Sequence, residues 1–356
     1  MSRLLRPAAL RHARAYSTPA TSPFAPRHLL SIADLSPTEL TTLVKTAASH
    51  KQATKSGQTP PNITNSLLGQ TIALLFTKRS TRTRVSTESA VAMMSGHPMF
   101  LGSQDIQLGV NESLHDSSVV ISSMVNAIVA RVDAHADVEG LAKSSSVPVI
   151  NALSDAFHPL QTIADFLTIH EAFPSNSNPN SNSNKTLGLE GLKIAWIGDA
   201  NNVLYDLALG AAKLGVQLSV ATPRGYSIPS SMRELILSHS TSPTSSTPFL
   251  TETNIPEEAV KNADILVTDT WISMGQESEK ARKLKDFAGF QITKELAQRG
   301  GAKEGWRFMH CLPRKAEEVS DEVFYSPASL VFQEAENRLW AVLAVLEAFV
   351  VNKGKI

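Results

Sequence analysis

The sequence has one cysteine in 356 residues, Cys311, which excludes an intramolecular disulfide and a thiolate metal cluster. No apolar run approaches the roughly 18–20 residues that cross a bilayer, so no membrane partner is expected. An excess of positive charge is also missing. Lys plus Arg and Asp plus Glu both total 33, a balance that argues against a nucleic-acid partner. Neither a G-x-G-x-x-G fingerprint nor a Walker loop is found, which disfavours a dinucleotide. Acids are absent before Asp34, while Arg3, Arg6, Arg11, Arg14 and Arg27 crowd that segment.

Leu4, Leu5, Ala8, Ala9 and Leu10 fall between those arginines at spacings a helix could sort onto one face. A basic, acid-free, amphipathic leader of this kind reads as a transit peptide over residues 1–23, with the mitochondrial matrix as destination. Arg14-Ala15-Tyr16-Ser17 resembles a matrix-protease cleavage site. The plainer alternative is a disordered basic tail.

What is present is a composition of 42% hydrophobic and 19% charged residues, that of a globular chain long enough for two domains. From about Leu67, short apolar runs alternate with amphipathic stretches. Thr71 to Phe76, Ala127 to Val132, Val147 to Ile150, Leu192 to Ile197, Val216 to Ala221, Asp264 to Thr268 and Arg307 to His310 read as strands. Thr81 to Met94, Pro159 to Phe173 and Phe332 to Val351 read as helices. The Ser/Asn-rich Ser175 to Asn184 and the Ser/Thr-rich Ser238 to Thr247 read as surface loops. The alternation predicts an α/β fold of two parallel-sheet halves joined near 165–190, with ligands beyond the carboxyl ends of the strands.

The chemistry-bearing residues stand at those ends. Strand TIALLF runs into Lys78-Arg79-Ser80-Thr81-Arg82-Thr83-Arg84 and a helix start, where free amides, hydroxyls and guanidinium groups suit a phosphate. Basic residues oppose the dipole at a helix N-terminus, so a merely solvated first turn would rather be acidic. Arg131 ends a buried strand, where a cation needs a partner. His158 and Gln161 lie one turn apart at a helix start, placed to bind one small polar ligand together. In the second half, Gly198-Asp199-Ala200-Asn201-Asn202, Asp269 to Gly275 and His310-Cys311-Leu312-Pro313-Arg314 follow successive strands. The carboxylate and hydroxyl of the Asp269 loop suit an ammonium group, and free amides there suit a carboxylate.

STRTR, HPLQ, the Asp269 loop with its SMG, and HCLPR, in this order and at these intervals, resemble the ornithine carbamoyltransferase family. STRTR with HPxQ is the transcarbamoylase signature; SMG with HCLP marks the ornithine branch, since aspartate carbamoyltransferases have proline where Cys311 stands. The resemblance runs from about Pro26 to the last helix. It implies two doubly wound parallel-sheet domains bridged by helices. A carbamoyl-phosphate-binding domain at 26–165 would be completed by the C-terminal helix at 330–352, and an ornithine-binding domain would occupy 188–325. It also implies a homotrimer. By position, Ser80, Thr81, Arg82 and Thr83 would hold the phosphate of carbamoyl phosphate, with Lys78 as an accessory cation. Arg131, His158 and Gln161 would meet its carbonyl and amide, and Cys311, Leu312 and Arg338 would complete that site. Asn202, Asp269, Ser273 and Met274 would bind L-ornithine. The catalytic set would be Cys311, Arg131, His158 and Asp269.

The implied reaction is attack of ornithine's side-chain amine on the carbamoyl carbon, giving citrulline and phosphate for arginine biosynthesis, with no cofactor. No metal is expected, since His310 and Cys311 are adjacent and lack a second ligand pair. Gln107 stands where some relatives have a histidine reaching towards a neighbouring subunit. Rival readings are another transcarbamoylase acting on putrescine, aspartate or an acylated ornithine; a nucleotide-dependent oxidoreductase; and a catalytically silent binding protein.

Overall fold

The computed structural model describes residues 25–103, 112–174, 186–240, 248–272 and 279–356. The first half runs α1 (Pro37–Lys55), β1 (Thr71–Phe76), α2 (Thr81–Met93), β2 (His97–Gly102), α3 (Leu114–Ser122), β3 (Ala127–Arg131), α4 (His135–Ser144), β4 (Val149–Leu153) and α5 (Pro159–Ala172). The second runs β5 (Lys193–Ile197), α6 (Asn202–Leu214), β6 (Gln217–Ala221), α7 (Ser230–Ser238), β7 (Leu250–Thr253), α8 (Pro256–Val260) and β8 (Ile265–Thr268). It continues through α9 (Lys280–Asp286), α10 (Lys294–Gly300), β9 (Arg307–His310) and α11 (Asp321–Phe324). Helix α12 (Val331–Leu346) follows and passes into a π-helical turn, Glu347–Val351.

The strands form two sheets, ordered β2-β1-β3-β4 and β7-β6-β5-β8-β9, and every neighbouring pair is parallel. Both are doubly wound: the order reverses beside β1 in one and beside β5 in the other. Helices cover both faces, which is why the strands read as unbroken apolar runs. In β1, Ile72, Leu74 and Phe76 enter one apolar cluster while Ala73 and Leu75 enter another on the opposite face. The larger cluster continues through α5, α6 and α12 to Ile194, Trp196 and Leu218 of the second sheet, so one core joins the halves.

Helix α12 packs on α5, α2 and α1, returning the chain's end to the first half. Leu29 adds a parallel bridge beside β4. Edge strands β2 and β7 were not among the expected strands. The β2 sequence HPMFLG contains proline and is half-exposed, and LTET in β7 is polar, so neither carries the apolar signal of a central strand. Helix α1 opens with a reciprocal Ser36–Glu39 capping box and Pro37 at its first position.

Candidate active site

The carboxyl ends of β1, β3 and β4 face those of β5, β8 and β9 across a cleft of about 400 Å³. On the first wall, Ser80 caps α2 by accepting from the Thr83 amide at 3.2 Å. The Arg82 guanidinium reaches across to the carbonyl of Leu312, a residue in the left-handed region (φ 61°). Arg338, from α12, donates to Gln161 Oε1 at 2.7 Å and to the Thr83 hydroxyl at 3.2 Å. Burial and the neighbouring Arg82 depress the Arg131 guanidinium to about 10; burial and Arg131 do the same to Arg338. Among the described residues, Arg82, Arg131 and Arg338 form no ion pair with a carboxylate. Three converging guanidinium groups, two of them buried, beside an open helix N-terminus make a strongly anion-seeking wall.

His158 and Gln161 both line the cleft, though His158 stands outside the helix as the N-cap of α5 (φ −142°). Burial and the charges of Arg338, Arg131 and Arg82 hold its imidazole well below the ordinary range, so it is neutral. Arg338 Nη1 lies 3.4 Å from Nε2, which assigns Nε2 as acceptor and Nδ1 as the N–H. Nδ1 has no partner among the described residues. A buried donor in that state calls for an acceptor such as a carbonyl oxygen.

The opposite wall begins at Gly198, the residue after β5, where φ is 146°. A Cβ there would lie 3.0 Å from Thr268 Oγ1, so only glycine lets this turn approach β8. Asn201 caps α6, accepting from the Val203 and Leu204 amides, and donates to Asp269 Oδ2 at 2.8 Å. Asn202 lines the cleft and donates to the Ser154 carbonyl at 2.6 Å, tying the two walls together. The Cys311 thiol donates to Asp269 Oδ1 at 3.0 Å. Burial and the Asp269 charge push that thiol well above its ordinary range, so it stays protonated.

Thr81 is the first residue of α2, but its side chain is exposed and does not line the cleft. Arg84 turns away, pairing with Glu88 at 2.8 Å and stacking 3.8 Å over Phe100. Lys78 lines the cleft and is paired with Asp133 at 3.0 Å. Ser273, Met274, Gln107, the 1–23 leader and the Ser175 to Asn184 stretch lie outside the described residues, as does most of Ser238 to Thr247.

Several supporting residues escape sequence reasoning. Buried Lys283 of α9 pairs with Asp199 at 2.6 Å and donates to the Trp271 carbonyl. Asp206 of α6 accepts from Ser31 Oγ, the Ile32 amide and the His158 amide. Asp165 and Glu334 lie behind Gln161. Asn201 was within reach, because asparagine before the apolar run VLYDLAL is an N-cap signal. Asp269, His310 and Cys311 bring ligand-type atoms within 4.8 Å of one another. The His310 ring is already engaged on both sides, by the Leu312 amide at Nδ1 and Glu318 at Nε2, which marks it as structural.

Two family profiles match. The aspartate/ornithine carbamoyltransferase carbamoyl-P binding domain matches residues 27–171, and the Asp/Orn binding domain of the same family matches 190–349. The chain is 68% identical to the mitochondrial ornithine carbamoyltransferase of Emericella nidulans, covering 99% of this chain and 98% of that one. It is 54% identical to that of Schizosaccharomyces pombe, over 93% and 96% of the two chains. Among solved structures, the mitochondrial ornithine carbamoyltransferase of Coccidioides immitis superposes with a TM-score of 0.85 at 63% identity, covering 93% of this chain and 99% of that one. The Pyrococcus furiosus ornithine carbamoyltransferase gives 0.82 at 41% identity, covering 92% and 98%. With both profiles together spanning most of its length, the chain belongs to the aspartate/ornithine carbamoyltransferase family.

Proposed function

We propose that this cleft transfers the carbamoyl group of carbamoyl phosphate to the side-chain amine of L-ornithine, giving L-citrulline and phosphate. The observation that carries the reading is the anion-seeking wall of Arg82, Arg131 and Arg338 facing a wall of acceptors centred on Asp269. Ser80, Thr83, Arg82 and the Thr81 amide take the phosphate at the N-terminus of α2, where the helix dipole and free N–H groups favour it. Arg131, the His158 Nδ1–H and the Thr83 hydroxyl meet the carbonyl oxygen. Gln161, Cys311 and Leu312 face the carbamoyl amide, with Arg338 bracing Gln161. Asn202, Asp269, Ser273 and Met274 take ornithine.

The neutral amine attacks the carbonyl carbon, and a tetrahedral oxyanion forms against Arg131 and His158. The carbon–oxygen bond to phosphate then breaks, phosphate leaves with its electron pair, and the proton shed by the attacking nitrogen goes to the departing phosphate oxygen. Preorganised donors aimed at the developing oxyanion need no rearrangement at that moment. A free alkylammonium has a pKa of about 10.4, so the amine must lose its proton first. The cationic wall and exclusion of water favour that loss. Because Cys311 is held as a thiol, it orients the amine as a hydrogen-bonding group, and Asp269 is the nearby acceptor.

The acid-free arginine leader and the mitochondrial names of the relatives support a matrix address for the chain. A homotrimer is the assembly the family resemblance supports. The first half also presents exposed Leu68, Val85, Met99, Val120 and Met124, apolar surface suited to subunit contacts. The test is citrulline formation by the purified full-length chain with carbamoyl phosphate and ornithine, beside tubes holding aspartate, putrescine or N-acetylornithine. Product from ornithine alone, abolished by Arg82→Ala, supports the reading; product from another amine moves the specificity, and silence from folded protein refutes it.

A further inference from the structure

Gln161 differs from the other groups around the carbamoyl end, because its value depends on which way its amide points. Its Nε2 donates to Asp165 Oδ1 at 2.8 Å and to Glu334 Oε1 at 3.0 Å, while its Oε1 accepts from Arg338 Nη1 at 2.7 Å. Asp165 lies one turn further along α5, and Glu334 lies in the first turn of α12. Gln161, Asp165 and Glu334 are 1%, 4% and 2% exposed, so water cannot substitute for any of these partners. A rotated amide would set N–H against the Arg338 guanidinium and a carbonyl against two carboxyls. The environment therefore allows one orientation.

The two carboxyls also constrain each other. They are hydrogen-bonded side by side, and burial raises both, Asp165 to about 7 and Glu334 well above the carboxylate range. Two buried like charges in contact are avoided by keeping one proton between them. The charged groups facing this pair are Arg338 on α12 and Asp269 after β8, and the neutral Cys311 thiol after β9 is the remaining titratable neighbour. The other Glu334 oxygen accepts from the His310 amide at 2.9 Å, one residue before Cys311. The pair thus joins α5, α12 and the end of β9 at a single point behind the cleft.

We infer that the Asp165–Glu334 pair is a specificity-determining positioning device: by occupying both N–H groups of Gln161 it makes that amide present its carbonyl oxygen to the cleft. That oxygen selects an acyl phosphate bearing N–H over one bearing a methyl group. The inference rests on the reading that Gln161 meets the carbamoyl amide. Neither acid touches substrate; each acts through Gln161. A site built to accept a hydrogen bond rejects a ligand that lacks the donor, because its own polar group is left unpaired.

The test uses the full-length chain and the ratio of the acetyl phosphate inhibition constant to the KM for carbamoyl phosphate. Inorganic phosphate serves as a control for the phosphate end. A ratio does not depend on how much protein is folded. Asp165→Asn carries permanent N–H groups for Glu334 while its carbonyl still accepts from Gln161, so it should keep the ratio within about threefold. In the Asp165→Asn, Glu334→Gln double variant, amide N–H groups and the His310 N–H outnumber the acceptors, and Gln161 is released. Its ratio should fall about tenfold or more through a raised carbamoyl phosphate KM, with phosphate inhibition unchanged. Glu334→Gln alone has one carbonyl for two donors and should fall by at least about threefold, which decides the matter if the double variant does not fold. Wild-type ratios in the Glu334 variants would overturn the inference, as would an equal loss in Asp165→Asn. Gln161→Leu separates the two readings. If it leaves the ratio unchanged, Gln161 does not meet the carbamoyl amide; if it collapses the ratio while the Glu334 variants do not, only the role of the pair fails.

Discussion

The Cys311 thiol donates to Asp269 Oδ1 across 3.0 Å, joining the loop after β9 to the end of β8 in the floor of the cleft. Burial and the adjacent carboxylate keep the sulfur protonated. Cys311 should therefore react with iodoacetamide at neutral pH far more slowly than free glutathione, since the thiolate is the nucleophile. Cys311→Ala should lower kcat/KM for ornithine about 10- to 100-fold, the loss of roughly 1.4–2.7 kcal/mol of orientation. Cys311→Ser, which keeps a donor, should recover most of it. Rapid alkylation at pH 7 would contradict the thiol assignment.

His158 is neutral because burial and three arginines disfavour its proton. In the unfolded chain it takes up a proton below about 6.5, whereas the folded chain does not. Its contribution to stability is thus present above that pH and is lost as pH falls below it. Activity should show no inflection near 6.5 from this group, and kcat/KM for ornithine should climb towards pH 9 as the substrate amine deprotonates. Profiles of wild type and His158→Gln should differ in height and agree in shape. An acidic limb removed by the substitution would count against a neutral imidazole.

Buried Lys283 pairs at 2.6 Å with Asp199 at the edge of the cleft, and the same ammonium donates to the Trp271 carbonyl at 2.9 Å. Lys283→Met leaves Asp199, which lines the cleft and is partly exposed, without its counter-ion, which should cost about 1–3 kcal/mol. Because Trp271 lies two residues beyond Asp269, KM for ornithine should rise more than KM for carbamoyl phosphate. Denaturant titration and the two KM values measure both effects; equal changes in the two KM values would refute the local account.

Asp206 takes the Ile32 amide and Ser31 hydroxyl on one oxygen and the His158 amide on the other. In Asp206→Asn, one of those positions becomes an N–H facing a donor. A loss of about 1–3 kcal/mol is expected from the unpaired buried group. Calorimetry gives the stability, and carbamoyl phosphate KM reports whether His158 has moved. An unchanged Tm would contradict the buried network.

The central strands and the STRTR, HPLQ and HCLPR segments are legible in the sequence because each joins an apolar run to polar groups that a buried element would not otherwise carry. Those segments place Arg82, Arg131, His158 and Cys311 on one cleft. Asp165, Asp206 and Lys283 are not legible, since an ionisable residue on a helix looks the same whether its face meets water or a distant partner. The Gln161–Glu334 contact spans 173 positions, and no local pattern encodes it. The edge strand β2 is obscured by Pro98, and the direction of Arg84, away from the cleft, is decided by Phe100, its neighbour only after β1 and β2 pair.

The central claim is that one cleft holds phosphate at the start of α2 and presents ornithine's amine from the Asp269 wall. A crystal structure with a bisubstrate analogue joining a phosphonate to ornithine's side-chain nitrogen tests it most directly. The account predicts the phosphonate against Ser80 to Thr83 with Arg82, Arg131 and Arg338, and the side-chain nitrogen within hydrogen-bonding distance of Asp269 and Cys311. A phosphonate bound away from the α2 N-terminus, or a nitrogen remote from Asp269, would contradict it.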